Sequence, residues 1–192
     1  MLESHVGFRP EYLLEPILAV RNSYSREHSL QVVALAEAIG ARMCLDAHQM
    51  QVLPLAAGFH DIGKIGISDK ILLKAEHLSD QEYEAIKAHP VIGSNMLRSL
   101  GNPLLDEVAD SVLYHHERWD GQGYPDGLAG DAIPVLSRIV SVVDAYDAMT
   151  TTRSYRQPLE TTSALKIFAN LSGIQFDPEA VTALFTVLAE SK

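Results

Sequence analysis

Gly58-Phe59-His60-Asp61-Ile62-Gly63-Lys64 is the stretch on which the fold turns. It closes a run of apolar residues, Val52, Leu55, Ala56 and Phe59, whose spacing predicts a helix. An imidazole and a carboxylate then stand side by side at its end. Neither is there for packing, because burying an unpaired carboxylate is expensive. A divalent metal accounts for both. The other candidate ligands are far away in sequence: His28, His89, His115, His116 and Asp144. The expectation is that several helices point these side chains into one pocket around two metal ions.

Working outward, Asp46 and Gln49 form a capping-box pattern at the start of this helix, and Pro54 inside it predicts a bend. Upstream, residues 9–22 read as a helix with a kink at Pro16. Ser25 then caps an amphipathic helix from Arg26 to Ile39, with Leu30, Val33, Ala34, Leu35 and Ala38 as its apolar stripe, His28 in its first turn and Gly40 as its stop. Downstream, Ser68 caps a short turn through Ile71-Leu72-Leu73. Ser79 with Glu82 is a second capping box, opening a helix that ends near His89-Pro90. Further helices cover Val91 to Leu100, Asn102-Pro103 to Tyr114-His115-His116, a stretch opened by Pro134 that contains Asp144, Thr161 to Leu171, and Pro178 to Ala189 with Asp177 as N-cap. No alternating strand pattern is present. The prediction is an all-α bundle of about nine helices, with residues 1–23 as an N-terminal helix and 24–192 as the domain.

Composition narrows the function classes. The chain has 192 residues, 47% hydrophobic and 21% charged, which reads as one globular domain. Its formal net charge of −10 argues against binding a nucleic acid polymer. It leaves room for a small anionic ligand, since metal ions can reverse the sign inside a pocket. No apolar run is long enough to cross a bilayer, and Met-Leu-Glu-Ser-His lacks the basic start and apolar stretch of a signal peptide. Cys44 is the single cysteine, so neither an internal disulfide nor a thiolate metal cluster can form. A cytoplasmic setting is the default expectation.

Neighbouring helical residues diverge by about 100°, so His60 and Asp61 reach one metal pair only from a helix end. His115-His116 would do the same from a second end, with His28, His89 and Asp144 adding ligands from three more. Asp61, with two oxygens, is the natural bridge. A set of nitrogen and oxygen donors suits Mn, Fe, Ni, Mg or Zn. Each residue has a plainer explanation when taken alone. His89 before Pro90 could end a helix, His115-His116 could be surface, and Asp144 could pair with Arg138 or Arg153. Jointly those explanations weaken, because five of the eight histidines fall at helix starts or ends; His5, His48 and His77 are left as surface residues. Lys64, three residues after Asp61, is either an ammonium beside a metal-bound phosphate or a cation suited to a helix C-terminus.

The most specific stretch is His115-His116-Glu117-Arg118-Trp119-Asp120-Gly121-Gln122-Gly123-Tyr124-Pro125. Its glycines allow tight turns and close approach, and Tyr124 offers a phenol to stack on a base or to bond a phosphate. With His60-Asp61-Ile62-Gly63-Lys64-Ile65, Lys87-Ala88-His89, Asp144-Ala145-Tyr146-Asp147-Ala148-Met149-Thr150 and Arg153-Ser154-Tyr155-Arg156, it resembles the HD-GYP domain, a subgroup of the HD metal-dependent phosphohydrolases. The resemblance covers about residues 24–185. It implies an all-helical HD domain and a bacterial signalling phosphodiesterase that opens cyclic di-GMP to pGpG, with a further cut to GMP.

Carried over residue by residue, His28, His60, Asp61, His89, His115, His116 and Asp144 match the metal ligands. Asp61 and Lys64 match the catalytic pair. Lys64, Tyr124, Arg153 and Arg156 match the substrate contacts. Two divalent ions are implied, iron or manganese first, with nickel, magnesium or zinc as alternatives. Three-metal members carry a glutamate where Tyr24 stands, so two ions are expected. A loop often written Lys-Pro-Gly-Lys-Leu is Lys74-Ala75-Glu76-His77-Leu78 here, which removes a positive charge near the cleft rim. Expected partners are a diguanylate cyclase or a sensor or receiver domain. The alternatives are hydrolysis of another cyclic dinucleotide such as cyclic GMP-AMP, or a non-catalytic receptor or interaction module for cyclic di-GMP.

Overall fold

The helix leading to His60 is apolar from Val52 onward, and three other helices pack against it. The computed structural model describes residues 26–74, 76–151 and 157–190, with side chains from residue 31 onward. Along them run α1 (Arg26–Arg42), α2 (Gln49–Phe59), the four-residue α3 (Asp69–Leu72), α4 (Asp80–Lys87), α5 (His89–Arg98), α6 (Pro103–Leu113), α7 (Val135–Thr150), α8 (Thr161–Leu171) and α9 (Pro178–Glu190). Two 3-10 turns, Ile62–Gly66 and Gly130–Ala132, complete the set. Among the described residues there is no strand; two isolated bridges, Asp120 with Ala129 and Ser172 with Phe176, are the nearest approach. The all-α prediction therefore holds. No helix among the described residues is long and apolar enough to cross a membrane.

Val52, Leu53, Pro54, Leu55, Ala56, Ala57 and Phe59 of α2 are all buried, as expected for a helix whose polar residues, Gln49 and Gln51, are confined to its first turn. Against it lie α1, through Val32, Val33, Ala36 and Ile39, α6, through Val108, Ala109 and Val112, and α7, through Leu136, Ile139, Val140, Val142 and Val143. The β-branched run in α7 stays helical because each residue buries its side chain there, which outweighs a weak intrinsic propensity. Phe168 of α8 and Phe176 meet with ring centroids 4.7 Å apart and close the far side of the core.

Helix boundaries differ from the sequence reading in instructive ways. The Asp46–Gln49 capping box forms, with Asp46 N donating to Gln49 Oε1 at 3.0 Å and Gln49 N to Asp46 Oδ1 at 2.8 Å. The helix proper begins only at Gln49 and ends at Phe59, so His60 is its C-cap and Asp61 already leads the 3-10 turn. Likewise α6 stops at Leu113, leaving His115 and His116 in a turn beyond it. The Ser79–Glu82 box is complete, and Asp177 Oδ1 accepts from Glu179 N at 2.8 Å. Ser68 stands at the start of α3 but makes no capping bond with its side chain. The helix expected over 9–22, Ser25 and Tyr24 lie outside the described residues.

One close approach sets the site. The 3-10 turn after Asp61 presses against the start of α5, and a β-carbon on Gly63 would lie 1.9 Å from the carbonyl oxygen of His89 and 2.5 Å from the nitrogen of Gly93. Only glycine fits there. That contact brings Asp61 and His89 to one point.

Candidate metal centre

Four chain segments end at the same place. His60 sits at the end of α2, Asp61 at the start of the 3-10 turn, His89 at the first residue of α5, and His115 and His116 in the turn after α6. Asp144 reaches in from the middle of α7. His60 and His89 are 2% and 1% exposed, and His115 is fully buried.

The imidazoles are oriented by their own backbones. The Nδ1 of His60 lies 2.7 Å from Ala57 O, that of His89 2.8 Å from Ile86 O, and that of His115 2.6 Å from Val112 O. A carbonyl only accepts, so each Nδ1 carries the proton and each Nε2 turns inward. His89 Nε2 and His115 Nε2 face one another at 3.4 Å. Ligand atoms of His89, His115 and His116 all lie within 4.8 Å of one another.

The carboxylates complete the arrangement. Asp61 is 6% exposed. Its Oδ1 is 3.4 Å from His89 Nε2, and its Oδ2 is 3.5 Å from His60 Nε2. Asp144 Oδ1 approaches His60 Nε2 from the other side, at 3.7 Å. Lys64 Nζ donates to Asp61 Oδ2 at 2.5 Å. Lys64 thus lies on the face of Asp61 that its spacing predicted.

The electrostatics follow from this packing. Burial pushes the His115 imidazolium well out of reach, helped by His116 alongside. Burial also holds His116 down to about 4, against the pull of Asp144. His89 is lowered too, burial winning over Asp61. His60 goes the other way, up to about 9: burial opposes the charge, but Asp61 and Asp144 together outweigh it. Burial would raise Asp61, yet Lys64, His60 and His89 hold it well below the usual carboxylate range. Asp144 is also lowered: burial opposes ionisation, but its contact with His60 prevails.

Neutral imidazoles with convergent lone pairs, beside two ionised carboxylates, form a donor set for divalent cations. Two Nε2 lone pairs facing each other inside a protein repel, and a cation between them would remove that cost. The residues present fit a metal, and a metal centre is what the cluster can hold.

Tyr124 closes one side. Its ring stacks on His116, with centroids 4.9 Å apart, and Lys87 Nζ lies 5.1 Å from the Tyr124 centroid. Burial raises the phenol pKa, so Tyr124 stays a donor. Asp144 is not engaged by Arg138, which instead pairs with Asp177 at 2.9 Å and Asp131 at 3.2 Å. His28 lies in α1, but its side chain is outside the described set, as are Arg153 and Arg156 altogether. His48 and His77 are exposed, as expected of surface residues. Lys74 pairs with Glu82 at 2.7 Å, so the altered loop begins at a neutralised cation. The sequence reading gave no role to Gly63, Lys87 or Glu117. Glu117 stood in the quoted motif, but nothing in its spacing set it apart from the loop.

An all-helical bundle that gathers histidines and aspartates from several helices at one point is an arrangement that can hold divalent cations. The HD domain family model matches residues 12–180, and the chain belongs to that family. It is 38% identical over 178 residues to a cyclic di-GMP phosphodiesterase of Thermotoga maritima, covering 93% of this chain and 48% of the relative. It is 39% identical over 150 residues to the cyclic di-GMP phosphodiesterase response regulator RpfG of Xanthomonas campestris pv. campestris, covering 78% and 40%. The chain thus spans under half the length of these curated relatives. In fold it is similar to a crystal structure of the cyclic GMP-AMP specific phosphodiesterase V-cGAP3 of V. cholerae. That match has a TM-score of 0.71 at 20% identity, over 93% of this chain and 48% of the other. The family resemblance read from the motifs stands.

Proposed function

We propose that this domain hydrolyses a cyclic dinucleotide, with cyclic di-GMP as the preferred substrate and linear pGpG as the first product. One observation carries the reading: the inward Nε2 atoms of His89 and His115, 3.4 Å apart, beside a carboxylate that presents one oxygen to His89 and the other to His60. That arrangement supports a cation site, and the named relatives suggest the substrate class.

His60, Asp61, His89, His115, His116 and Asp144 would hold two ions, with His28 joining by its place in the motif. Iron or manganese is the expected metal, with nickel, magnesium or zinc as alternatives. Bound there, divalent ions supply positive charge opposite the phosphoryl oxygens and acidify water for attack on phosphorus. The chain's own groups do the rest. Asp61 fixes the Lys64 ammonium at the edge of the cluster, where it can take charge from a phosphoryl oxygen. Tyr124, held protonated, donates to the substrate or stacks on its base. Arg153 and Arg156 are assigned the remaining phosphate by resemblance. Water adds to phosphorus as the bond to the 3′ oxygen breaks, and that oxygen leaves as an alcohol. A second cut would give GMP. A cytoplasmic setting, and regulation by a diguanylate cyclase or by a sensor or receiver domain, go with this reading.

The test uses anaerobically purified protein loaded with manganese or iron. Wild type is expected to form pGpG, and Asp61→Ala to lose metal and at least about 100-fold in turnover. Retained hydrolysis at full metal loading would sink the mechanism. Faster turnover of cyclic GMP-AMP run in parallel would reassign the substrate. Tight cyclic di-GMP binding without pGpG would point to a receptor.

A further inference from the structure

We infer that Glu117 is a positioning residue of this site, whose buried carboxylate pins the loop carrying Tyr124 against His116. The inference rests on the hydrolase reading for its catalytic consequence, and on geometry for the pin itself.

Glu117 directly follows His116 and is 3% exposed. Its Oε1 accepts from the backbone nitrogens of both Asp126, at 2.7 Å, and Gly127, at 3.0 Å. The loop therefore leaves residue 117 and returns to it within ten positions. It is flattened onto the same residue in between: a β-carbon on Gly123 would lie 2.5 Å from Glu117 Cα and 2.4 Å from Arg118 N. Tyr124 N donates to His116 O at 3.3 Å, and the Tyr124 ring stacks on the His116 ring. Glu117 Oε2, by contrast, has no hydrogen-bond partner among the described residues. The hydrogen bonds this carboxylate accepts from the described residues thus come from the two loop amides. Burying a carboxylate is costly, and charge-assisted bonds to backbone N–H groups are the strong kind. The position of Tyr124 and the tilt of His116 are set together by this one side chain.

Glu117→Ala is expected to lower turnover about 10–100-fold, as loss of an outer-shell partner does, mainly in kcat and with metal content kept. Glu117→Gln, whose amide oxygen can still take both N–H groups, should retain most of the turnover. Hydrogen exchange supplies a reading that needs no substrate. Asp126 and Gly127 are exposed residues, yet their amides should be protected in wild type and in Glu117→Gln and unprotected in Glu117→Ala. The emission of Trp119, the single tryptophan, should shift only in Glu117→Ala. Unprotected amides in wild type, equal kcat and KM in Glu117→Ala and wild type, or a loss in Glu117→Gln as deep as in Glu117→Ala would each overturn the inference. If Glu117→Ala does not fold, exchange in wild type and Glu117→Gln decides. If wild type turns over no cyclic dinucleotide, the hydrolase reading fails while the exchange data still judge the pin.

Discussion

The histidines at positions 60, 89 and 115 are all clamped in the same manner, each Nδ1 bonded to the carbonyl three residues earlier. A residue just past a helical turn can bond back to the chain this way while its Nε2 points beyond the helix end. The device fixes tautomer and direction at once, which an isolated imidazole could not do. It also makes the site's protons predictable. With no ion bound, His60 is charged up to about pH 9, and a ligand must give up that proton. Metal uptake at pH 7.5 should therefore release about one proton per chain, read as a buffer-dependent heat of binding. Stability carries the same signature. The raised pKa of His60 contributes stability that is complete below 6.5 and lost as pH rises through about 9. The depressed pKa of His116 contributes stability present above 6.5 and lost as pH falls towards about 4. The melting temperature of ion-free protein should fall on both sides of that midpoint, and His60→Gln should flatten the alkaline limb. A flat profile in wild type would contradict this account.

Among the elements, the contact of the 3-10 turn with α5 matters most for the site. Gly63 allows it, and through it Asp61 meets His89. Gly63→Ala would place a β-carbon against backbone rather than against a movable side chain. We expect a loss of about 1–3 kcal/mol in urea unfolding together with weaker metal binding, since the two helix ends must separate. Ser79→Ala makes the useful contrast. It removes the box that starts α4 and should cost about 1 kcal/mol with turnover little changed. Equal effects of the two on metal affinity would mean that the turn does not set the centre. The capping boxes were legible because a few adjacent residues make their hydrogen bonds among themselves. The ends of α2 and α6 were read too far along, since the residues after them keep helical spacing. There the chain breaks out of the helix so that paired side chains can face one point.

At the scale of the whole molecule the cluster joins α2, the 3-10 turn, α5, the end of α6 and α7. An ion bound to it is then a cross-link present only in the folded state. Chelation should lower unfolding free energy by about 3 kcal/mol relative to protein held near 100 times the dissociation constant of the ion, measured by denaturant titration with and without chelator. No change would mean that these side chains bind no ion in the folded protein. The all-helical fold, most caps and the choice of His60, Asp61, His89, His115, His116 and Asp144 as candidate ligands came from the sequence, because periodicity, capping and rare residue types are local properties of the chain. Only the tertiary structure decided which of those candidates meet, that Asp61 stands between His60 and His89, that Arg138 turns away from Asp144 towards Asp177, and that Glu117 closes its own loop. Those facts depend on distances between residues far apart in the chain, and such distances exist only once the helices have packed.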